Sequence, residues 1–452
     1  MNLKISLSLR LINNNYIYSY FGRGEYSFND KYNASLSIRR DGSSVFGADT
    51  KWGTFWSAGF SWRLKQENFL KDVEWMDNLK LRLSYGTSGN KGGLERYQSL
   101  GLWKVSADYK YDIYNGAWLI QLANSNLGWE KQKMFNIGVD FSFWNRFYGS
   151  VDYFNKTSDG LLYDLPISSE TGLTSLKMNA AKTANYGVEV VLGAQVLRDT
   201  PVKWNMELNA SFIKDEIKDL YGDNDIQQTS YQKIWSVGGS QYEFYMPTWA
   251  GVDSSNGQPL WYKVGENGTR TTTSAYAEAT YERQGRSTPD VYGGFTNKLS
   301  YRNFDLSVQL NYQFGGKIYD GLYSTLMNGS GHFGTNMHTD NLNAWSESNK
   351  NSEFPKIGAN AASSSLSSRF LYDASYLKVK NITLSYTLPR IPSLANAISS
   401  ARVFASVDNL ATWFMSDYQG YDDLDIYGVQ GYRLYPATPT PRTWTLGVNV
   451  TF

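Results

Sequence analysis

The sequence predicts an all-β protein, an antiparallel transmembrane β-barrel with long extracellular loops and short periplasmic turns. Three observations carry the prediction: apolar and polar residues alternate with a period of two, aromatics bracket the apolar rows, and short and long connections take turns. The clearest alternating segments are LKLRLSY (79–85), FNIGVDFSF (135–143), VKWNMELNASF (202–212), FDLSVQLNYQF (304–314) and TWTLGVNVTF (443–452). MNLKISLSLRL (1–11) opens the chain in the same way, and weaker copies lie near 16–28, 32–40, 53–64, 147–157, 183–195, 290–300, 376–388 and 401–409. Successive side chains of a strand point to opposite faces, so each segment has one greasy and one wet face. The count reaches about fourteen strands of about 9–12 residues, longer than the ~5–6 usual in soluble sheets and matched to the ~9–11 that a tilted strand needs to cross a bilayer.

Order within the apolar rows supports the membrane reading. Phe304 and Phe314 enclose Leu306, Val308 and Leu310; Trp204 and Phe212 enclose Met206, Leu208 and Ala210; Phe135 and Phe143 enclose Ile137 and Val139. An aliphatic centre between aromatic ends is a hydrocarbon band between two girdles. In the last segment Trp444 and Phe452 take the same two places. Counting back from the C-terminus, the expected connections are long (410–441), short (389–400), long (315–375), short (301–303), long (213–289), short (197–201), long (158–182), short (145–146) and long (86–132). Outer-membrane barrels keep this parity, with short turns on the periplasmic side.

Composition excludes several classes. A net charge of +1 over 452 residues gives no electrostatic case for a nucleic-acid partner, and the absence of cysteine removes disulfides and thiolate metal sites. Aromatics make up 16% of the chain, a load suited to membrane boundaries and sugar-binding surfaces. Mean hydropathy is −0.45, and no apolar run approaches the ~18 residues of a membrane-spanning helix. A barrel stays open to this composition, because half of every strand faces a polar interior.

Candidates for chemistry are few. His332 and His338 share the long 315–375 connection without a partner set that would hold a metal, so loop roles are expected for both. Asp422, Asp423 and Asp425 in YDDLDIYG are weak Ca²⁺ candidates that lack the spacing and distal Glu of a calcium loop; turn capping is the plainer role. Asp140, Asp152, Glu189 and Glu207 occupy polar strand positions, where pairing with cations such as Lys203 is expected rather than acid–base work. No nucleotide, esterase or metalloprotease motif is present, and no catalytic residue, cofactor or metal is assigned. The long connections do hold Trp103, Trp118, Trp235, Trp249, Trp261, Tyr421, Tyr432 and Tyr435. Flat rings in a polar setting suit stacking on sugars or apolar peptide side chains, and suit equally the small cores that large loops need.

Several stretches together resemble the SusC/RagA-type TonB-dependent outer-membrane transporters. They are YFGRGEYSFNDKYNASLSIRRDGSSVFG (20–47), NLKLRLSYGTSGN (78–90), LGWEKQKMFNIGVDFSFWNRFYGSVDYFNKTSDGLL (127–162), TANYGVEV (183–190), WAGVDSSNGQPLWY (249–262), PDVYGGFTNKLSYRNFDLSVQLNYQFGGKIYD (289–320), YDASYLKVKNITLSYTLP (372–389), VFASVDNLATW (403–413) and GYRLYPATPTPRTWTLGVNVTF (431–452). The resemblance implies a plugged 22-stranded barrel in the outer membrane of a Gram-negative cell, of which about 14 strands are present here. It implies import of an oligosaccharide or peptide nutrient, a SusD-like surface lipoprotein as partner, and energy from the TonB–ExbB–ExbD complex. It also implies that Phe452, an aromatic ending the last strand, serves with Trp444 as the signal for barrel assembly.

Residues 1–452 are accordingly expected to be the C-terminal part of such a barrel, with signal peptide, accessory domain, plug and leading strands absent, since MNLKISLSLRL alternates from the outset and has no signal-peptide pattern. Two alternatives stay open on the residues alone: a passive porin-like barrel, and a secreted carbohydrate-binding β-protein.

Overall fold

The computed structural model describes residues 16–452 apart from 93, 95–96, 112–113, 224, 229–231, 329–333, 335, 360–364, 390–397, 419–429 and 434–439. Thirteen strands follow one another in chain order in a single sheet: β1 (Ile17–Phe28), β2 (Tyr32–Ser43), β3 (Trp52–Arg63), β4 (Met76–Asn90), β5 (Glu130–Phe143), β6 (Phe147–Pro166), β7 (Ser175–Leu197), β8 (Val202–Leu220), β9 (Val291–Tyr301), β10 (Phe304–Phe314), β11 (Tyr376–Thr387), β12 (Ser400–Phe414) and β13 (Thr443–Thr451). The expected strand within residues 1–11 lies outside the described residues. By compactness the chain divides into two units, Met1–Ala194 with Ser211–Asn224, and Gln195–Ala210 with Asp225–Phe452.

In the first unit, antiparallel register sorts the side chains into two faces. Leu81, Val139, Val151 and Val190 form one row across β4–β7, and Leu83, Ile137, Tyr153 and Val188 the next. The rows are exposed where a soluble sheet would cover them; Leu83, Ile137, Val151 and Tyr153 are all open. Aromatics close the band at both ends. Trp75, Phe143, Trp144 and Phe147 cluster beside the short 144–146 turn with ring centroids 5.4–6.1 Å apart. At the other end Trp56 meets Tyr85 at 5.4 Å. Tight turns need left-handed residues, which Asn29 and Asp30 (φ 51° and 56°) supply between β1 and β2.

The second unit repeats the plan. Leu299, Leu306, Leu384, Ala405 and Leu446 make a row across β9–β13, and Asn297, Val308, Ile382, Val407 and Trp444 the next. Asn297 is polar in an apolar row, and its Oδ1 accepts a hydrogen bond from Trp204 Nε1 at 3.3 Å.

One expected loop is corrected. Residues 158–182 are mostly strand: β6 and β7 stay paired as far as Pro166 and Ser175, leaving 167–174 as the connection. A bulge at Asp159–Leu162, with Gly160 at φ 70°, lets the hairpin bend and continue. With 20, 23 and 19 residues, β6, β7 and β8 outrun the length that the bilayer requires, because continued pairing satisfies backbone groups that an irregular loop would have to leave to water. The alternation holds only in part after the correction: 144–146, 198–201 and 302–303 are short against 91–129, 221–290, 315–375 and 415–442, but 167–174, expected long, is shorter than 388–399, expected short.

Candidate functional site

Two regions gather polar and aromatic side chains, the polar face of the first unit and the loop body of the second. On the polar face, Arg82 of β4 reaches over β5 to β6. Its Nη2 donates to Asp140 Oδ1 at 2.7 Å and to Asp152 Oδ2 at 2.8 Å, and its Nε lies 3.0 Å from both Asp140 oxygens. Arg82, Gly138 and Asp152 share one row. Gly138 gives the bridge its room, since a Cβ there would lie 2.1 Å from Asp152 Oδ1. The acids at 140 and 152 are thus ion-paired as their positions led one to expect, but to Arg82 rather than to Lys203.

Towards the long-loop end the same face holds a groove of about 390 Å³. Arg39, Asp41, Asn90 and Lys91 line it with polar groups, and Phe55 and Trp129 with rings. Arg39 Nε donates to Asp41 Oδ1 at 2.6 Å and its Nη2 to Ser19 Oγ at 3.1 Å, while Asn90 Nδ2 donates to Glu130 Oε2 at 2.9 Å. Trp129 meets Phe55 edge-on at 5.7 Å and is anchored through Nε1 to the Lys51 carbonyl at 3.0 Å. Gly53 and Gly89 let Phe55 lie flat on the sheet, because a Cβ at either would approach its ring within 2.4 and 2.1 Å. Fixed donors and acceptors beside aromatic edges can hold a polar solute with apolar patches, such as a sugar. Trp129, the last residue of the long 91–129 connection, is not among the aromatics singled out in the sequence, where nothing near it announces Phe55 as its partner.

In the second unit the long connections fold into bodies with cores of their own. Phe244, Met246, Tyr319, Met327 and Phe370 are buried together, with Tyr432 packed against them. Trp261 has 0% exposure and lies edge-on to Trp249 at 5.8 Å and to Tyr276 at 5.2 Å. The Tyr276 hydroxyl donates to the Leu366 carbonyl at 2.6 Å, and burial pushes its pKa well above the usual range. Tyr432 stacks on Tyr319 at 4.8 Å, and burial raises its hydroxyl to about 12. Lys233, 2% exposed, donates to the Tyr242 carbonyl at 2.8 Å and to Ser287 Oγ at 3.0 Å while lying 3.2 Å over the Phe244 ring. Arg369 sits 4.8 Å over both Trp249 and Phe370, and burial lowers its pKa to about 10. Arg433 meets Asp320 at 3.1 Å, and Asp320 also caps the helix Gly321–Leu326 by accepting from Tyr323 N at 2.9 Å. Hydrophobic periodicity gives no signal for these buried charges.

The aromatics singled out in the sequence therefore divide. Trp261 and Tyr432 build the loop core; Trp249 offers a ring face to Arg369; Trp235 is half-buried and donates to the Gln241 carbonyl at 3.1 Å. In the first unit the strands Leu102–Tyr111 and Tyr114–Gln121 form a hairpin that carries Trp103, 65% exposed, and Trp118, under Lys104 at 5.4 Å. Tyr421, Tyr435, Asp422, Asp423, Asp425 and His332 lie outside the described residues. His338 accepts from Asp340 N at 3.2 Å and caps a short helical turn. Trp444 and Phe452 are exposed at 72% and 88%.

Residues 10–410 match the TonB dependent receptor-like β-barrel family. The chain belongs to that family. Among its relatives, this member is similar to the TonB-dependent receptor SusC of Bacteroides thetaiotaomicron, with 32% identity over 463 residues covering 97% of this chain and 44% of that protein. It is similar also to the TonB-dependent receptor P3 of Formosa agariphila, with 30% identity over 476 residues covering 98% of this chain and 46% of that one. In three dimensions it is similar to the structure of the RagAB peptide transporter, with a TM-score of 0.83 and 29% identity over 97% of this chain and 48% of that one. The chain spans about half the length of the curated relatives it matches. Members of this family are outer-membrane proteins, and the long strands with their exposed apolar rows place this chain in that membrane.

Proposed function

We propose that the chain forms barrel wall and outer loops of a TonB-dependent importer that passes an oligosaccharide or a peptide, working with a SusD-like surface lipoprotein and drawing energy from TonB–ExbB–ExbD. The observation that carries the reading is the polar face of the first unit, where Arg82–Asp140–Asp152 and the Arg39–Trp129 groove offer hydrogen bonds and ring edges behind a lipid-facing band. A bilayer-spanning sheet spends such groups on a polar solute's path rather than on packing. Its relatives are named as receptors and a transporter, and the role is translocation without covalent chemistry. The long aromatic-rich loops would receive the solute on the outer side.

The test is uptake by cells that carry the chain in its native locus. Deleting the coding sequence should abolish growth on one class of oligosaccharide or peptide while leaving free monosaccharides and amino acids usable, and affinity purification of the protein should bring down a surface lipoprotein. Unchanged growth on every oligomeric source would overturn the reading. Growth retained without TonB would point to passive diffusion instead.

A further inference from the structure

Beyond the apolar rows of the first unit, the same face turns cationic. Antiparallel partners project to one side of a sheet, so register fixes which residues share it. From the middle of the band the rows run Val139–Val151–Val190, Ile137–Tyr153–Val188, Phe135–Asn155–Tyr186, Lys133–Thr157–Ala184 and Lys131–Asp159–Lys182. Each row lies about 7 Å further along the strands. On β8 the alternation continues from Phe212 through Lys214, Glu216 and Lys218, and the Tyr186 hydroxyl, 3.1 Å from Glu216 Oε2, sets these beside the others. Five lysines thus accompany two carboxylates: Lys133 stands 3.9 Å from Asp159, and Lys218 is 2.7 Å from Glu216. Lys131, Lys133, Lys214 and Lys218 are exposed. Strand ends as such do not explain the patch, since Phe314, Leu377 and Trp413 hold the corresponding end of the second unit's apolar rows.

We propose that Lys131, Lys133 and Lys182, joined by Lys214 and Lys218, bind the phosphate groups of an anionic lipid headgroup in the outer leaflet. Position identifies the ligand. The lysines begin one row past the aromatics that mark the membrane boundary, on the face that meets acyl chains, so their stems run along apolar surface and their ammonium groups reach headgroup level. Clustered lysines at that height attract anionic lipid by about 1 kcal/mol each, roughly a factor of five. A soluble anion would gain nothing from continuity with the band; a lipid gains both contacts at once.

The full chain, purified in neutral detergent, can be titrated with lipid A carrying its phosphates, with the same lipid dephosphorylated, and with inorganic phosphate, binding being read by native mass spectrometry. Phosphorylated lipid should bind, and the triple variant K131Q/K133Q/K182Q should bind it about a hundredfold more weakly. The separate pair K214Q/K218Q should lose about twentyfold, which keeps the test valid if the triple variant fails to fold. K203Q, on the opposite face, should bind as the wild type does. Equal binding of dephosphorylated lipid, undiminished binding by both lysine variants, or displacement of the lipid by inorganic phosphate at equal concentration would each overturn the proposal.

Discussion

Tryptophan has opposite surroundings in the strands and in the loops. Trp444 and Trp413 are 72% and 55% exposed, and Leu446 and Val448 on the strand of Trp444 are open with it, whereas Trp261 has no exposed surface and Phe244 and Phe370 of the loop core are buried as well. The residue type is the same and the solvent is not. In the strands the bilayer supplies the apolar surroundings, so a single layer of sheet can show its greasy face outward. In the loops water is the solvent, and a ring is stable only where other side chains exclude it. Polar groups follow the same division. The loops bury Lys233 against two acceptors and pair Asp320 with Arg433, while the apolar strand rows of the second unit admit Asn297 beside Trp204.

The largest expected effect comes from removing a ring where only protein surrounds it. Trp261→Ala should cost about 3–5 kcal/mol of loop stability, seen as faster proteolysis and hydrogen exchange within 221–290. Protection of β9–β13 should not change; if it falls as well, loops and strands are one cooperative body and the distinction fails. Next in size is a charge on the lipid face. Val308, midway between Phe304 and Phe314, should cost about 2–4 kcal/mol when replaced by Arg, measured as loss of assembled protein from the outer membrane. Ser307→Arg, one residue away on the polar face, should fall within about 0.5 kcal/mol. Similar losses for both would mean that the two faces do not meet different solvents.

The strands were legible because their environment imposes a period of two. Leu299, Leu306, Leu384 and Leu446 stand in a row because each alternates with polar neighbours in its own segment, and no knowledge of partners is needed to see it. The loop core has no such period. Whether Trp261 or Trp103 faces a ligand depends on which distant segments fold over it, and nothing near Trp261 in sequence announces Tyr276 packing against it or Leu366 anchoring Tyr276. The polar face lies between these cases. Positions 82, 140 and 152 read as polar, but the choice of Arg82 as their cation rests on register across three strands and on the missing Cβ of Gly138. The hairpin 158–182 was misread because β6 and β7 continue to pair past the point where the bilayer demands it.

A smaller effect tests that register directly. Arg82→Met keeps the length of the side chain but leaves Asp140 and Asp152 without their shared donor, and should cost about 1–3 kcal/mol, read as earlier loss of the heat-resistant band in unboiled gels. Restoring a cation with Lys should recover only part of it, because an ammonium lacks the planar fork that meets two carboxylates on different strands. Full recovery by Lys would show that charge alone, and not the three-strand geometry, holds this part of the face.

The smallest effect lies in a single exposed turn. Asp253 accepts from Ser255 Oγ at 2.6 Å, from Ser255 N at 2.9 Å and from Asn256 Nδ2 at 2.9 Å, shaping a turn in which Gly257 has φ 76°. That turn matters beyond itself, since Trp345 Nε1 donates to the Ser254 carbonyl at 3.0 Å and its ring lies where a Cβ on Gly257 would come within 2.6 Å. The Ser255 hydroxyl leads, with the Ser255 amide and the Asn256 amide, in holding the Asp253 carboxyl below the usual carboxylate range. A depressed folded value means that the carboxylate adds stability above its unfolded pKa of about 3.9, and that this is lost as pH falls through the folded value. Hydrogen exchange in the peptide 249–262 should therefore quicken on acidification below about pH 4 in the wild type, after correction for intrinsic rates. Asp253→Asn should show weaker protection at neutral pH and no such acid step. An identical step in both proteins would mean that another group titrates there and that the Asp253 carboxylate is not what holds the turn against Trp345.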